Sequence, residues 1–310
     1  MLIKVLGAGA GGGFPQWNCA APTSVRAWNG DPAATPRTQA SLAVSADGER
    51  WVLLNASPDL RQQILATPAL HPRAAEGKRN SPIRAVVLTN GDVDAVTGLL
   101  TLRERQPFSV FASQRILDVL AANSIFNVLD PSVVDRRALA FDMPMPLINH
   151  GDALALTVEA FAVRGKVALY LEGKSQGAGL GTRPGDTIGL RVTETSTGAA
   201  FFYIPSCATV DGPLARRLTG VAVVFFDGTL FTDDELVSQG LSDKTGQRMG
   251  HISMSGPAGS LAAFSGLDVA RKVYIHMNTS NPALIAGSPE RQTIATAGWE
   301  VAFDGMEIRL

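Results

Sequence analysis

The chain has 310 residues, of which 45% are hydrophobic and 18% charged, the ordinary balance of a globular protein with a large core. A formal net charge of −1 leaves no polybasic surface for nucleic acid or anionic lipid, so no nucleic-acid partner is expected. No apolar run reaches membrane length, Met1–Gly7 lacks the basic region of a secretory signal, and Cys19 and Cys207 define neither a disulfide framework nor a zinc site; the expectation is a cytoplasmic chain with no membrane insertion.

Leu2 to Leu6 reads as a short strand running into Gly7-Ala-Gly-Ala-Gly-Gly-Gly13. Gly7, Gly9 and Gly12 satisfy the formal dinucleotide fingerprint. That fingerprint needs a helix starting inside the motif, and Phe14-Pro-Gln-Trp-Asn-Cys19 followed by Pro22 has no helical period. The glycines are read instead as a sharp turn or a close approach of backbone to another segment. The residues onward to Thr38 read as a long loop.

Gln39–Ser45 and Arg50–Asn55 form a hairpin around Asp47-Gly48, and Ser57 and Pro58 open a helix over Leu60–Ala66. Ala85–Leu88 is a buried strand, with a helix beginning near Gly98. A strand over Ser109–Ala112 and a helix over Ser113–Ala122 follow. Residues 125–150 show weak periodicity, and His71 and His150 are read as loop residues rather than ligands. Ala153–Val163 is a strand, and the Glu172–Gly185 run is a flexible loop. Thr187–Thr193 and Ala200–Pro205 form a second hairpin. Helices are expected over Leu214–Leu218, from Pro257 to Phe264 and from Ser288 to Gly298, and strands over Val221–Phe226 and Lys272–Ile275. Val301–Phe303 and Glu307–Leu310 are two short final strands around Asp304-Gly305.

Three of these strands end in residues able to bind a metal. Ala85–Leu88 leads into Thr89-Asn90-Gly-Asp92-Val-Asp94, Val221–Phe226 into Asp227, and Lys272–Ile275 into His276. Two acids at i and i+2 beside a strand end are costly to bury without a cation. A solvated loop, or a helix cap made by Asp94, is the plain alternative. Convergent strand ends favour a metal, and an oxygen-rich set with imidazole suits Fe(II), Mn or Mg. His251, in Gly-His-Ile-Ser before a helix, is open to a role as ligand, proton shuttle or cap.

The turn Leu88-Thr-Asn-Gly-Asp-Val-Asp-Ala-Val-Thr-Gly-Leu99 resembles the H-x-H-x-D-H turn of the metallo-β-lactamase superfamily. Asn90 and Asp92 stand on its first two His positions, Asp94 on the Asp and Ala95 on the last His. Asp227 and His276 fall on the superfamily's later Asp and final His. Gly11-Gly-Gly-Phe-Pro-Gln-Trp-Asn-Cys19, Pro36-Arg-Thr-Gln39, Leu54-Asn-Ala-Ser-Pro-Asp59, Arg61-Gln-Gln63, Arg248-Met-Gly-His251 and His276-Met-Asn-Thr-Ser-Asn-Pro282 resemble the PqqB family of pyrroloquinoline quinone (PQQ) biosynthesis.

The resemblance implies an α/β fold, a metallo-β-lactamase-like αβ/βα sandwich of two mixed β-sheets flanked by helices, as a single domain over residues 1–310. It implies Fe(II)- and O₂-dependent hydroxylation of the tyrosine moiety of a Glu-Tyr derived precursor, the small peptide-derived partner of the site. Binding or transport of PQQ or its precursor is the alternative. The ligand set reduces to Asp92, Asp94 and His276, because Ala95 offers no lone pair. His251 is the expected proton carrier, and Lys166, Asn90 and Asp227 the expected substrate contacts. Where the family carries C-x-C-x-x-C, this chain has Cys19, Ala21 and Ser24, so no structural zinc is expected. Oligomeric state is left open, and a nucleotide-dependent oxidoreductase is disfavoured by the missing helix.

Overall fold

The computed structural model describes residues 1–174 and 183–310. The Glu172–Gly185 run therefore lies largely outside the described residues. Among the described residues fourteen strands follow one another as β1 (Leu2–Gly7), β2 (Ser41–Ser45), β3 (Trp51–Leu54), β4 (Ile83–Val87), β5 (Phe108–Ala112), β6 (Val134–Ala138), β7 (Met145–Asn149), β8 (Asp152–Ala162), β9 (Ile188–Glu194), β10 (Ala200–Ile204), β11 (Val221–Asp227), β12 (Val269–Ile275), β13 (Trp299–Val301) and β14 (Glu307–Arg309). They build two seven-stranded sheets, ordered β14-β1-β2-β3-β4-β5-β6 and β13-β12-β11-β10-β9-β8-β7. Both sheets are mixed: β3 to β6 and β10 to β13 run parallel, and the remaining pairs antiparallel. The fold is the expected two-sheet α/β sandwich.

Alternation along β11 shows how the layers form. Phe225 joins the core between the sheets, meeting Phe201 edge-on at 6.0 Å, while Phe226 faces the outer layer against Phe264 and Trp299. Both rings are fully buried, each a gain of about 2–3 kcal/mol over exposure. Helices cover the outer faces: α1 (Pro22–Trp28), α2 (Leu60–Ala66), α3 (Val93–Val96), α4 (Gln114–Ala122), α5 (Gly212–Leu218), α6 (Glu235–Ser238), α7 (Ser260–Ala263) and α8 (Pro289–Thr296). Ser113 caps α4 and Ser288 caps α8 through their hydroxyls, with Pro289 at the first turn of α8.

Three expectations need correction. The stretch before Thr38 contains α1, a seven-residue helix opened by Pro22, so it is not loop throughout. Residues 125–150 contain β6 and β7, the edge strands of their sheets; an edge exposed to solvent carries polar residues such as Arg136 and loses the apolar alternation. The helix after β4 starts at Val93 and passes into 3₁₀ turns over Thr97–Leu102, which puts Asp94 inside it. The two short final strands form on either side of Asp304-Gly305 as expected; they belong to opposite sheets, and Asp304-Gly305 is the corner between them. Asp304 holds that corner by accepting from Ala8 N, Thr38 N and the Thr38 hydroxyl.

The glycine run carries no dinucleotide-type helix. A Cβ on Gly7 would stand 2.2 Å from the Gln39 carbonyl oxygen, so the residue permits close backbone approach. The segment then bridges to Gln39 and to Met277, next to His276.

Candidate metal centre

Three parallel strands, β4 from one sheet and β11 and β12 from the other, end at one crevice, the usual site position in α/β folds. After β4, Asn55 accepts from Thr89 N and donates to the Thr89 hydroxyl, pinning the strand end. Asn90 Oδ1 then accepts from Asp92 N at 3.0 Å. Asp92 is the N-cap residue of α3, but its side chain makes no capping bond; Oδ1 accepts instead from Leu169 N at 2.9 Å. Asp94 follows on the first turn of α3, and Ala95 is buried behind it with 2% exposure.

After β12, His276 has φ of 64°, a left-handed conformation that costs a non-glycine residue about 1–3 kcal/mol. Flanking hydrogen bonds impose it: Met277 N donates to Ala8 O, Ala10 N to Met277 O, and Asn278 N to Thr229 O. Gly228 makes the neighbouring turn possible, since a Cβ there would lie 2.8 Å from Met277 Sδ and 2.9 Å from Tyr274 Cβ.

A pocket of about 510 Å³ opens over these strand ends. Asn90, Asp92, Asp94, Lys166, His251 and His276 all line it, with Gly11, Gly12 and Gln39 from the amino-terminal loop. Six of the seven site residues expected from the sequence thus share one wall. Asp227 stands apart, fully buried below the pocket. Its Oδ1 accepts from Thr229 N and the Thr229 hydroxyl, and its Oδ2 from Cys207 N and His251 Nδ1.

His276 Nε2 lies 3.0 Å from Asp94 Oδ2. Burial pushes the Asp94 carboxyl up, but the hydrogen bond and charge of His276, with the His251 charge, outweigh it and hold Asp94 below the usual carboxylate value. Burial pulls His276 down, and the same pair with Asp94 outweighs it, so His276 sits above the ordinary histidine value. Asp92 is raised, chiefly by burial; the Lys166 charge opposes the shift and the Asp94 charge adds to it.

The donor set fits a cation. Asp94 and His276 converge to ligand-to-ligand distance, and Asp92 adds a second carboxylate whose ionisation is disfavoured until positive charge arrives. A different group, Asp227, His251 and His276, also presents donor atoms within 4.8 Å of one another. Its space is taken: Thr229 Oγ1 lies 2.6 Å from Asp227 Oδ1, 3.0 Å from His251 Nδ1 and 2.9 Å from His276 Nδ1. That group is a hydrogen-bond hub around a hydroxyl; Asp94 and His276 meet at the pocket, and Asp92 lines the same wall without closing with them into a group of that tightness.

Thr229 and the Leu169 amide are participants that sequence reading did not single out. The signal for Thr229 is local, a hydroxyl two residues after an aspartate in Asp227-Gly-Thr229. Nothing in the sequence marks an amide 77 positions away as the partner of Asp92. Cys19 receives a long contact of 3.5 Å from Ala21 N, and the buried Ser24 hydroxyl meets Thr279 Oγ1 at 2.8 Å. His71 and His150 lie away from the pocket, on Ile64 O and Val133 O. No helix among the described residues is long and apolar enough to cross a membrane.

Residues 50–277 match the β-lactamase superfamily domain. The coenzyme PQQ synthesis protein B of Gluconacetobacter diazotrophicus is 57% identical over 307 residues, covering 99% of this chain and 98% of that protein. The protein of the same name from Xanthomonas oryzae pv. oryzae is 53% identical, with both chains covered in full. The crystal structure of Zn²⁺-bound PqqB from Methylobacterium extorquens superposes with a TM-score of 0.94 at 46% identity over the whole of both chains. The chain belongs to the coenzyme PQQ synthesis protein B family of the β-lactamase superfamily.

Proposed function

We propose that this chain acts in PQQ biosynthesis as a metal-dependent oxygenase that hydroxylates the tyrosine moiety of a Glu-Tyr derived precursor, in the cytoplasm and as one domain over residues 1–310. The observation that carries the reading is the Asp94–His276 pair, 3.0 Å apart on the wall of a pocket that also holds Asp92. The names of its relatives and the Zn²⁺ in one solved relative support it. Fe(II), when bound by Asp92, Asp94 and His276, supplies redox activation of O₂ at its open positions.

The chain's own residues do the rest. The Lys166 ammonium, whose charge reaches Asp92, holds a precursor carboxylate at the pocket wall. Val93 and Leu169, 57% and 56% exposed, line the pocket and give an aromatic ring an apolar rest. His251, fixed by Asp227 at 2.7 Å, takes and returns protons at the reacting centre. Asp227 is saturated by its own chain, so it serves the site by positioning His251 and not by touching substrate. Asn90 fixes the turn through Asp92 N while lining the pocket. At Cys19 the proposal includes no structural zinc, since one thiolate with Ala21 and an already bonded Ser24 falls short of a closed site.

The test is reconstitution under anaerobic conditions with Fe(II), followed by a Glu-Tyr dipeptide probe, O₂ and a two-electron reductant. One oxygen atom enters a ring C–H bond and the other leaves as water. A product heavier by one oxygen, lost in His276→Ala, is the expected result.

Ala95 favours a second reading, a non-catalytic carrier of PQQ or its precursor. Its buried methyl stands where the family's turn has an imidazole ligand. Ala95→His is expected to tighten Fe(II) binding about 10–100-fold. Turnover by Ala95→His alone, with precursor binding by the parent chain, decides for the carrier.

A further inference from the structure

The hydroxyl of Thr229 touches three groups of the site, and counting protons fixes what it does there. Asp227 has two oxygens, and each already receives one backbone amide: Thr229 N at 3.0 Å on Oδ1 and Cys207 N at 2.8 Å on Oδ2. A carboxylate accepts and does not donate. The Thr229 Oγ1–Asp227 Oδ1 contact of 2.6 Å therefore carries the hydroxyl's single proton toward Asp227. The His251 Nδ1–Asp227 Oδ2 contact of 2.7 Å likewise requires a proton on His251 Nδ1. With its proton spent, Thr229 Oγ1 has only lone pairs to show to the two rings. His276 Nδ1, at 2.9 Å, must then be the donor. His251 Nδ1, at 3.0 Å, shares its proton between Asp227 and Thr229.

We infer that Thr229 is a positioning residue that sets the tautomer of both site histidines, holding protons on the Nδ1 atoms of His251 and His276 so that both Nε2 lone pairs are left for the pocket. The rings are stacked with centroids 5.2 Å apart, so one hydroxyl below them can serve both. The consequence differs for each ring. On His276 the lone pair meets Asp94 Oδ2 at 3.0 Å, two acceptors that only a proton or a cation can join. On His251 it leaves a base. A valine in place of Thr229 keeps the shape and removes the acceptor. His276 is then free to turn its proton to Nε2 and donate it to Asp94, which closes the coordination face from within. The part played in metal binding rests on the function proposed above; the proton positions do not.

Long-range ¹H–¹⁵N correlation spectra of ¹⁵N-histidine protein, stripped of metal with chelator and recorded at a pH where the rings are neutral, read the tautomers directly. The chain has 4 histidines, so His71→Gln and His150→Gln complete the assignment. The expected result is the Nδ1–H form for His251 and His276 in the parent and in Thr229→Ser, and the Nε2–H form for His276 in Thr229→Val. Zn(II) affinity by calorimetry is expected to fall about 10–100-fold in Thr229→Val and to stay within about 3-fold in Thr229→Ser. An Nε2–H form of His276 in the parent overturns the inference even if Thr229→Val does not fold. So does an unchanged His276 tautomer in folded Thr229→Val, whatever its metal affinity. Parent protein with both Nδ1–H forms and no affinity for Zn(II) or Fe(II) leaves the tautomer role standing and removes the proposed metal site.

Discussion

The site contains two aspartate–histidine pairs with nearly the same contact, 2.7 Å for Asp227–His251 and 3.0 Å for Asp94–His276. Their surroundings make them different devices. Asp227 is fully buried and receives donors on every side, so it is closed to anything that enters the pocket. Asp94 keeps one-fifth of its side chain exposed and lines the pocket beside Asp92. Saturation of a carboxylate by its own chain separates structural from reactive acids better than distance to a histidine does.

That contrast can be broken by exchanging charge for amide at each pair. Asp227→Asn turns an acceptor into a donor facing buried N–H groups, and a loss of about 3 kcal/mol or more is expected in urea unfolding. Asp94→Asn should change stability by less than about 1 kcal/mol, because the asparagine amide nitrogen can donate to the His276 Nε2 lone pair, while weakening Zn(II) binding at least about 100-fold by calorimetry. If the two variants lose stability equally, the distinction between a closed and an open pair is wrong.

A third acid sharpens the comparison, because it is buried without an imidazole. Glu235, at the start of α6, is pushed up to about 7, chiefly by burial, against the pull of the Ser280 hydroxyl and the Phe231 amide. The folded chain holds a proton there that the unfolded chain releases near 4.5, so stability falls as pH rises from about 4.5 to about 7. Glu235→Gln should flatten that slope. Its expected gain in urea unfolding is up to about 3 kcal/mol at pH 8, shrinking to nothing below pH 4.5.

The strands that deliver the site were legible because they are buried on both faces. Ala85–Leu88, Val221–Phe226 and Lys272–Ile275 are unbroken or nearly unbroken apolar runs, and each ends where the polar residue appears. The resemblance supplied what periodicity does not, the way two sheets bring those ends together. β6 and β7 leave no clear periodic signal because an edge strand answers to solvent on one side; Arg136 and Arg137 sit in the first and Pro146 in the second. The role of Asp227 was hidden for another reason. Its oxygens are filled by Cys207, Thr229 and His251, and all four of its donors lie within 24 positions, yet no spacing rule says whether a strand-end aspartate faces a pocket or its own backbone.

Cys207 gives the closed pair a practical meaning. Its amide feeds Asp227, and its thiol is buried and pushed up to about 12, chiefly by burial and then by the Asp227 charge, with the sulfur directed at Thr209 O. A thiol in that state is a poor nucleophile and a poor target for oxidants. Cys19, the other cysteine of the sequence, is partly exposed on the loop that leads to α1. Alkylating probes should therefore mark this chain at one address, beside the segment that Thr279 ties to the loop after His276, and report on that loop without entering the pocket.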